Sequence, residues 1–434
     1  MQRPNILYIH SHDTGRYIQP YGYGIPAPAL QRLAEQGMLF RQAFCANPTC
    51  SASRAALLTG QSAHSSGMLG LAHRGFELYD YGQHLVHTLR GAGYHSVLGG
   101  VQHVAPDARQ IGYDELLEPE GKNVAAVVPA VVQFLGREPR QPFFLSAGFS
   151  ETHRAFRTPG PEQDARYCRP PAPLPDTPEI RQDMAAFKAS VREYDRGVGL
   201  ILQALEDNGL AENTLVICTT DHGIAFPGMK CNLTDHGLGV MLIVRGPGGC
   251  TGGRVSDALV SHIDLFPTLC ELLCIEPPDW LQGASLMPLL RGEKDAVNEA
   301  VFGEINYHAA YEPQRTVRTR RWRYVRRYGD RRRPVMPNCD DSPSKQVWVD
   351  HGWPERPVAP EQLYDVVFDP NEVRDLSGDP AYAEVLQEMR HRLQDWMKAT
   401  HDPLLDGEPV PAPAGARITD PDAASPEGKL ITAQ

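Results

Sequence analysis

The sequence of 434 residues predicts an α/β fold: a large, mostly parallel sheet sandwiched by helices, followed by a smaller C-terminal α+β domain containing a short antiparallel sheet. Two patterns carry that expectation. Up to about residue 297, short apolar runs alternate with helical ones, and strands alternating with helices imply right-handed crossovers into a sheet covered on both faces. Beyond it, closely spaced β-like runs follow one another, which is hairpin spacing. We therefore read 1–296 as the large α/β domain, 297–402 as the α+β domain and 403–434 as a tail.

Taken in order, Ile6–Ile9 is the first buried strand and Ala29–Gln36 a short helix stopped at Gly37. Ser51–Leu58 is a good helix entered through the loop Asn47-Pro48-Thr49. The helix His84–Arg90 leads through Gly91 and Gly93 to the strand Ser96–Leu98, and Phe143–Ala147 is another buried strand. From Val191, apolar residues at 194, 198, 201, 202 and 205 keep helical spacing until Gly209. Strands Leu215–Cys218 and Met241–Val244 follow. In the second domain, Ala300–Glu304, Thr316–Arg320 and Tyr324–Tyr328 read as hairpin-linked strands and Tyr382–Thr400 as a helix. From Pro403 onward six of 32 residues are proline, so the tail reads as an extended arm or as disordered; as an arm it would suit contacts in a homo-oligomer.

Composition narrows the function. Forty-two Lys+Arg against fifty-three Asp+Glu give a net charge of −11, which argues against a dedicated nucleic-acid binder. No apolar run approaches the roughly 20 residues of a membrane helix; Val124–Leu135 is short and interrupted by Pro129. The start MQRPNILYIH lacks the pattern of a secretory leader, so a soluble, cytoplasmic protein is expected. Nine cysteines without a CxxC pair read as reduced thiols.

One of them is chemically special. Cys50, at the helix start, sits where free amides and the helix dipole stabilise negative charge, with Arg54 one turn on; a depressed thiol pKa is expected. The run C-S-A-S-R-A-A-L-L-T-G resembles the signature of the formylglycine-dependent sulfatases, an alkaline phosphatase-like superfamily, in which Cys-x-(Pro or Ala)-x-Arg directs oxidation of the cysteine to formylglycine. The resemblance covers nearly the whole chain. The segments GMLGLAHRG, FFLSAGFSETHR, DHGIAFPGMKCNL and THDP are most similar to the heparan N-sulfatase branch.

The strand ends supply the other candidates. Strand one ends in Ser11-His12-Asp13 and a later strand in Thr220-Asp221-His222. In a parallel sheet both ends converge beside Cys50, and carboxylates gathered there call for a cation. The resemblance implies one divalent metal held by Asp13, Asp221, His222 and the modified Cys50; His12 is either a ligand or a hydrogen bonder behind the ligands. The family pattern is usually Asp-Asp in the first pair and often Asn in the last position. Histidine at both positions opens a mixed oxygen/imidazole shell, suited to Mn²⁺ as well as the usual Ca²⁺.

His103, His153 and Lys230 also fall at carboxyl strand ends. By resemblance His103 is the base near formylglycine, while His153 and Lys230 bind the sulfuryl group and assist the leaving group. Val101 stands where the family usually has lysine, two residues before that histidine. Arg154 and Arg74 are candidates for binding a substrate anion. His64, His73 and His84 read as structural. The ten arginines between Arg315 and Arg333 read as the solvated face of a hairpin, with a grip on a polyanionic glycan as the alternative.

The resemblance implies hydrolysis of a sulfate ester or sulfamate, with an N-sulfoglucosamine-type sugar as one candidate substrate: an oxygen of the hydrated aldehyde attacks sulfur, and His103 then deprotonates the second hydroxyl to expel sulfate. It also implies a sulfated small-molecule or glycan substrate and maturation by a formylglycine-generating enzyme. Two rivals stand beside it: a phosphonate monoester or phosphodiester hydrolase using the same machinery, and a non-catalytic glycan-binding relative with unconverted Cys50.

Overall fold

The computed structural model describes residues 3–407 and 409–434. Its large sheet has eight strands: β1 (Asn5–His10), β2 (Met38–Phe44), β3 (His95–Gly100), β4 (Glu115–Leu116), β5 (Phe143–Gly148), β6 (Thr214–Thr219), β7 (Leu242–Arg245) and β8 (Arg254–Ser261). Their spatial order is β4-β3-β5-β1-β6-β7-β2-β8. The run from β4 to β6 is parallel throughout, whereas β7 is antiparallel to both neighbours. The sheet is thus mixed but mostly parallel, and the expected fold class stands.

Helices cover both faces: α1 (Pro28–Gln36), α2 (Cys50–Thr59), α3 (Val124–Gly136) and α4 (Pro178–Asp207). Two apolar layers result, one on each face, with Tyr8, Ile6 and Phe144 pointing into one and Leu7, Ile9 and Leu145 into the other. That alternation is what a central strand buried on both faces requires. Helix α3 runs through Pro129, which lies on its exposed face, while Val124, Val127, Val128 and Val131 fill the buried one. Helix α4 begins thirteen residues before Val191, capped by the Thr177 hydroxyl, which accepts from the Ile180 amide.

The second domain carries an antiparallel sheet β12-β11-β10-β9, from β9 (Ala300–Tyr307), β10 (Tyr311–Thr319), β11 (Trp322–Arg327) and β12 (Glu361–Asp365), backed by α5 (Ala383–Ala399). Arg320, Arg321, Arg326, Arg332 and Arg333 of the stripe are exposed as expected, but three others depart from a solvated face. Arg315 and Arg323 are fully buried and Arg318 nearly so. Arg318 and Arg323 hold Asp235 of the large domain, and Arg323 also holds Glu372. Arg315 lies 2.5 Å from Asp402 and 3.3 Å from Glu304, whose carboxylate also accepts from the His64 amide and ring at 3.0 Å. The arginines pin one domain to the other.

The tail is not a free arm. Leu404, Val410, Ala416 and Thr419 are buried, and β13 (Arg417–Thr419) pairs with β14 (Leu430–Thr432). Its proline content makes it extended, but apolar anchors order it. All nine cysteines are free thiols, and among the described residues no helix is long and apolar enough to cross a membrane.

Candidate active site

The loops leaving the carboxyl ends of β1, β3, β5 and β6, adjacent in the sheet, carry His12-Asp13, His103, His153 and Asp221-His222. Helix α2 brings Cys50 to the same place. His12, Asp13, Cys50 and Asp221 offer ligand atoms all within 4.8 Å of one another, and all four residues are buried. His222 joins them. Its Nδ1–H donates to the Gly223 carbonyl at 3.0 Å, which leaves the Nε2 lone pair 3.2 Å from Asp13 Oδ1 and 3.4 Å from Cys50 Sγ. His12 Nδ1 lies 2.9 Å from Asp13 and 3.3 Å from Asp221. Two buried carboxylates with two imidazole nitrogens at this spacing fit a divalent cation with a mixed oxygen/nitrogen shell.

Buried cations offset the remaining charge. Arg54 donates to Asp221 Oδ2 at 2.8 Å, to the Ser11 carbonyl at 2.9 Å and to His10 Nδ1 at 2.6 Å. Lys230 Nζ lies 3.0 Å from Asp13 Oδ2 and 2.9 Å from Asp340 Oδ2. Burial would raise the carboxyl of Asp13, but Lys230 and the two histidines hold it well below the usual range; His222 and Arg54 do the same for Asp221. Burial holds His12 down to about 4.

The expected depression of the Cys50 thiol does not hold. Burial pushes that thiol up, because removal from water outweighs Lys230 and Arg54 while Asp13 and Asp221 oppose the thiolate. As an unmodified cysteine it is a poor nucleophile.

The surface opening is a cavity of about 570 Å³ whose walls include His12, His73, His103, Lys122, His153 and Arg157. His153 stands edge-on to His12, ring centroids 4.7 Å apart, and its Nδ1–H donates to the Arg154 carbonyl at 2.5 Å. His103 is 5.9 Å from His12 by the same measure. Both therefore flank the cluster of candidate ligands.

Arg154, in the wall of that cavity, and Arg74 both have protein partners. Arg154 spends its guanidinium on Asp183, at 2.7 and 2.6 Å, and on the Ala225 carbonyl, and lies over the Phe156 and Phe226 rings. Arg74 is buried and donates to Thr419 and to the Pro426 carbonyl of the tail. These bonds hold each guanidinium in place but use only part of its five N–H donors.

Sequence reasoning missed two members. Asp340 comes from the second domain, where no motif marks it. His73, read as structural, lines the opening and meets His103 at 2.9 Å. Its signal was the segment GMLGLAHRG, already singled out as a whole.

The family model described as Sulfatase matches residues 4–275. A second, described as N-sulphoglucosamine sulphohydrolase, C-terminal, matches residues 229–346. Human N-sulphoglucosamine sulphohydrolase is 32% identical over 92% of this chain and 91% of its own length. An ulvan-active sulfatase of Formosa agariphila is 28% identical over 100% of this chain and 88% of its own. Solved structures share the fold. One, in complex with its substrate D-glucosamine-2-N,6-O-disulfate, has a TM-score of 0.76 at 19% identity, covering 93% of this chain and 99% of that one. The phosphonate monoester hydrolase of Agrobacterium radiobacter has 0.69 at 20% identity, covering 92% and 96%. A signature helix whose cysteine meets two strand-end carboxylates, and a family model over well over half the sequence, lead to one statement: this chain belongs to the sulfatase family.

Proposed function

We propose that the protein hydrolyses the sulfamate or sulfate ester of a small anionic sugar, with Cys50 matured to formylglycine by a formylglycine-generating enzyme. The observation that carries this reading is the placement of Cys50 Sγ, 3.4 Å from His222 Nε2 and inside the Asp13/Asp221 cluster, with Arg54 locked on Asp221. Two features support an oxidised residue 50. The thiol itself is held protonated by burial, and a thiol has no second oxygen with which to expel sulfate.

Asp13, Asp221, His222 and His12 would hold one divalent cation, which when bound adds positive charge against a sulfuryl oxygen; the two imidazoles favour Mn²⁺ over Ca²⁺. The hydrated aldehyde of residue 50 supplies the attacking oxygen. The protein's other groups do the rest. Lys230 adds positive charge next to Asp13. His153, its Nδ1–H held by the Arg154 carbonyl, would as the imidazolium give its Nε2 proton to the departing oxygen or nitrogen. His103 takes the proton of the second hydroxyl.

The test is turnover on a panel of N-sulfoglucosamine, an aryl sulfate and a phosphonate monoester, with metal content and the mass of the Cys50 peptide measured on the same sample. The reading expects an aldehyde at position 50, turnover of a sulfated substrate, and none in Cys50→Ala. An intact thiol in active protein would refute it. The Asp221-His222 ending favours a second reading as a phosphonate ester hydrolase, which a preference for the phosphonate would establish; binding without turnover would indicate the glycan-binding relative.

A further inference from the structure

We infer that His73 is a positioning residue for the base His103, holding its ring and its tautomer from the loop across the cavity mouth; the inference rests on the function just proposed. His73 Nδ1 and His103 Nε2 are 2.9 Å apart, and the rings stack at 5.2 Å with only 13° between their planes. A neutral imidazole has one N–H and one lone pair. If His103 donates its Nε2–H to His73, its Nδ1 is fixed as the basic nitrogen. A ring nitrogen of His103 already lies within 4.8 Å of Cys50 Sγ.

Both partners are firmly mounted. His103 takes a left-handed backbone, φ 56°, which a non-glycine residue keeps only where its surroundings impose it. The Gln102 side chain does so by accepting from the Val104 and Ala105 amides at 2.6 and 3.0 Å. On the other side, the turn Ala72–Arg74 is tied to the nucleophile's own helix, because the Ala72 amide donates to Ser51 Oγ at 3.0 Å. The tail secures the same turn: Arg417 donates to the His73 carbonyl at 2.9 Å, and Arg74 holds Thr419 at 2.9 Å. Base and nucleophile are therefore connected through two hydrogen bonds and a rigid turn. Partial burial and the neighbouring Arg74 and Arg417, against Glu427, keep His73 neutral and able to accept. This second histidine also gives the base a polar neighbour at a mouth where Val101 supplies none.

The test uses the full chain and the best substrate of the panel. His73→Ala is expected to lower kcat about 10- to 100-fold, the usual cost of losing a partner that orients an active-site histidine, while leaving KM and Tm unchanged. His73→Gln, whose amide oxygen can accept the same bond, and imidazole added to His73→Ala should each restore part of kcat. Wild-type kcat in His73→Ala, or a loss that neither glutamine nor imidazole reduces, would overturn the inference. Ring nitrogen shifts of ¹⁵N-histidine protein decide it even without turnover. His103 fixed as the Nε2–H tautomer in the wild type and mixed in His73→Ala supports positioning; a mixture in the wild type refutes it, whereas failure across the substrate panel refutes only the function.

Discussion

Replacing Lys230 by methionine separates what that residue does for the fold from what it does for the chemistry. Its side chain is 3% exposed, and its ammonium group bridges two carboxylates, Asp13 at 3.0 Å and Asp340 at 2.9 Å. Methionine fills the stem's volume but leaves the buried Asp13 and the partly buried Asp340 without their shared cation. Breaking a buried pair in this way costs about 3–5 kcal/mol. Urea denaturation of chelator-treated protein at neutral pH measures the loss as a lower midpoint at unchanged m-value. Removing the Asp340 charge as well, in Lys230→Met/Asp340→Asn, should return about 1–3 kcal/mol, the size of a direct coupling between contacting groups. Turnover should not return with it, since the cation beside Asp13 is still missing. A loss below about 1 kcal/mol in Lys230→Met, or an equal loss in the Asp340→Asn background, would refute the bridge; recovery of activity in the double variant would refute the catalytic role.

Three further outcomes follow from the same geometry. Divalent cation at about 100-fold over its Kd should stabilise the chelated protein by about 2.7 kcal/mol, read as a rise in Tm for Mn²⁺ that Asp13→Asn abolishes. Glu304, which burial alone would raise, is held down to about 2 from 4.5 by His64 and Arg315. Its stability contribution, about 3 kcal/mol, is complete above pH 4.5 and lost as pH falls toward 2. Urea midpoints between pH 5 and 3 should fall less steeply in Glu304→Gln. Finally, Arg154→Ala should cost about 3–5 kcal/mol of stability through the orphaned Asp183, while the KM of folded protein for sulfated substrate stays unchanged; a large rise in KM would restore Arg154 to the substrate.

The part of the site readable in the sequence is the part written locally. Cys50 and Arg54 lie one helical turn apart, and Asp13, Asp221 and His222 immediately follow apolar runs whose parallel arrangement brings their ends together. What escaped was set by distant pairing. Asp340 reaches Lys230 across 110 residues of chain, and Arg154 meets Asp183 on a helix that the periodicity placed too late by thirteen residues. The burial of Arg315, Arg318 and Arg323 escaped because alternation on a hairpin says which residues share a face, not whether that face meets water or another domain. His73 and His103 meet between two loops, where no period exists to be read.

The charge sealed between the two domains also governs how molecules come and go. Parting the halves would strip Arg318 and Arg323 from Asp235, and each such rupture costs several kcal/mol, many times thermal energy. Breathing of one half against the other is therefore too rare to load the enzyme. The cavity lined by His73, Lys122 and His12 is thus a standing feature of the joined halves rather than one opened by their parting.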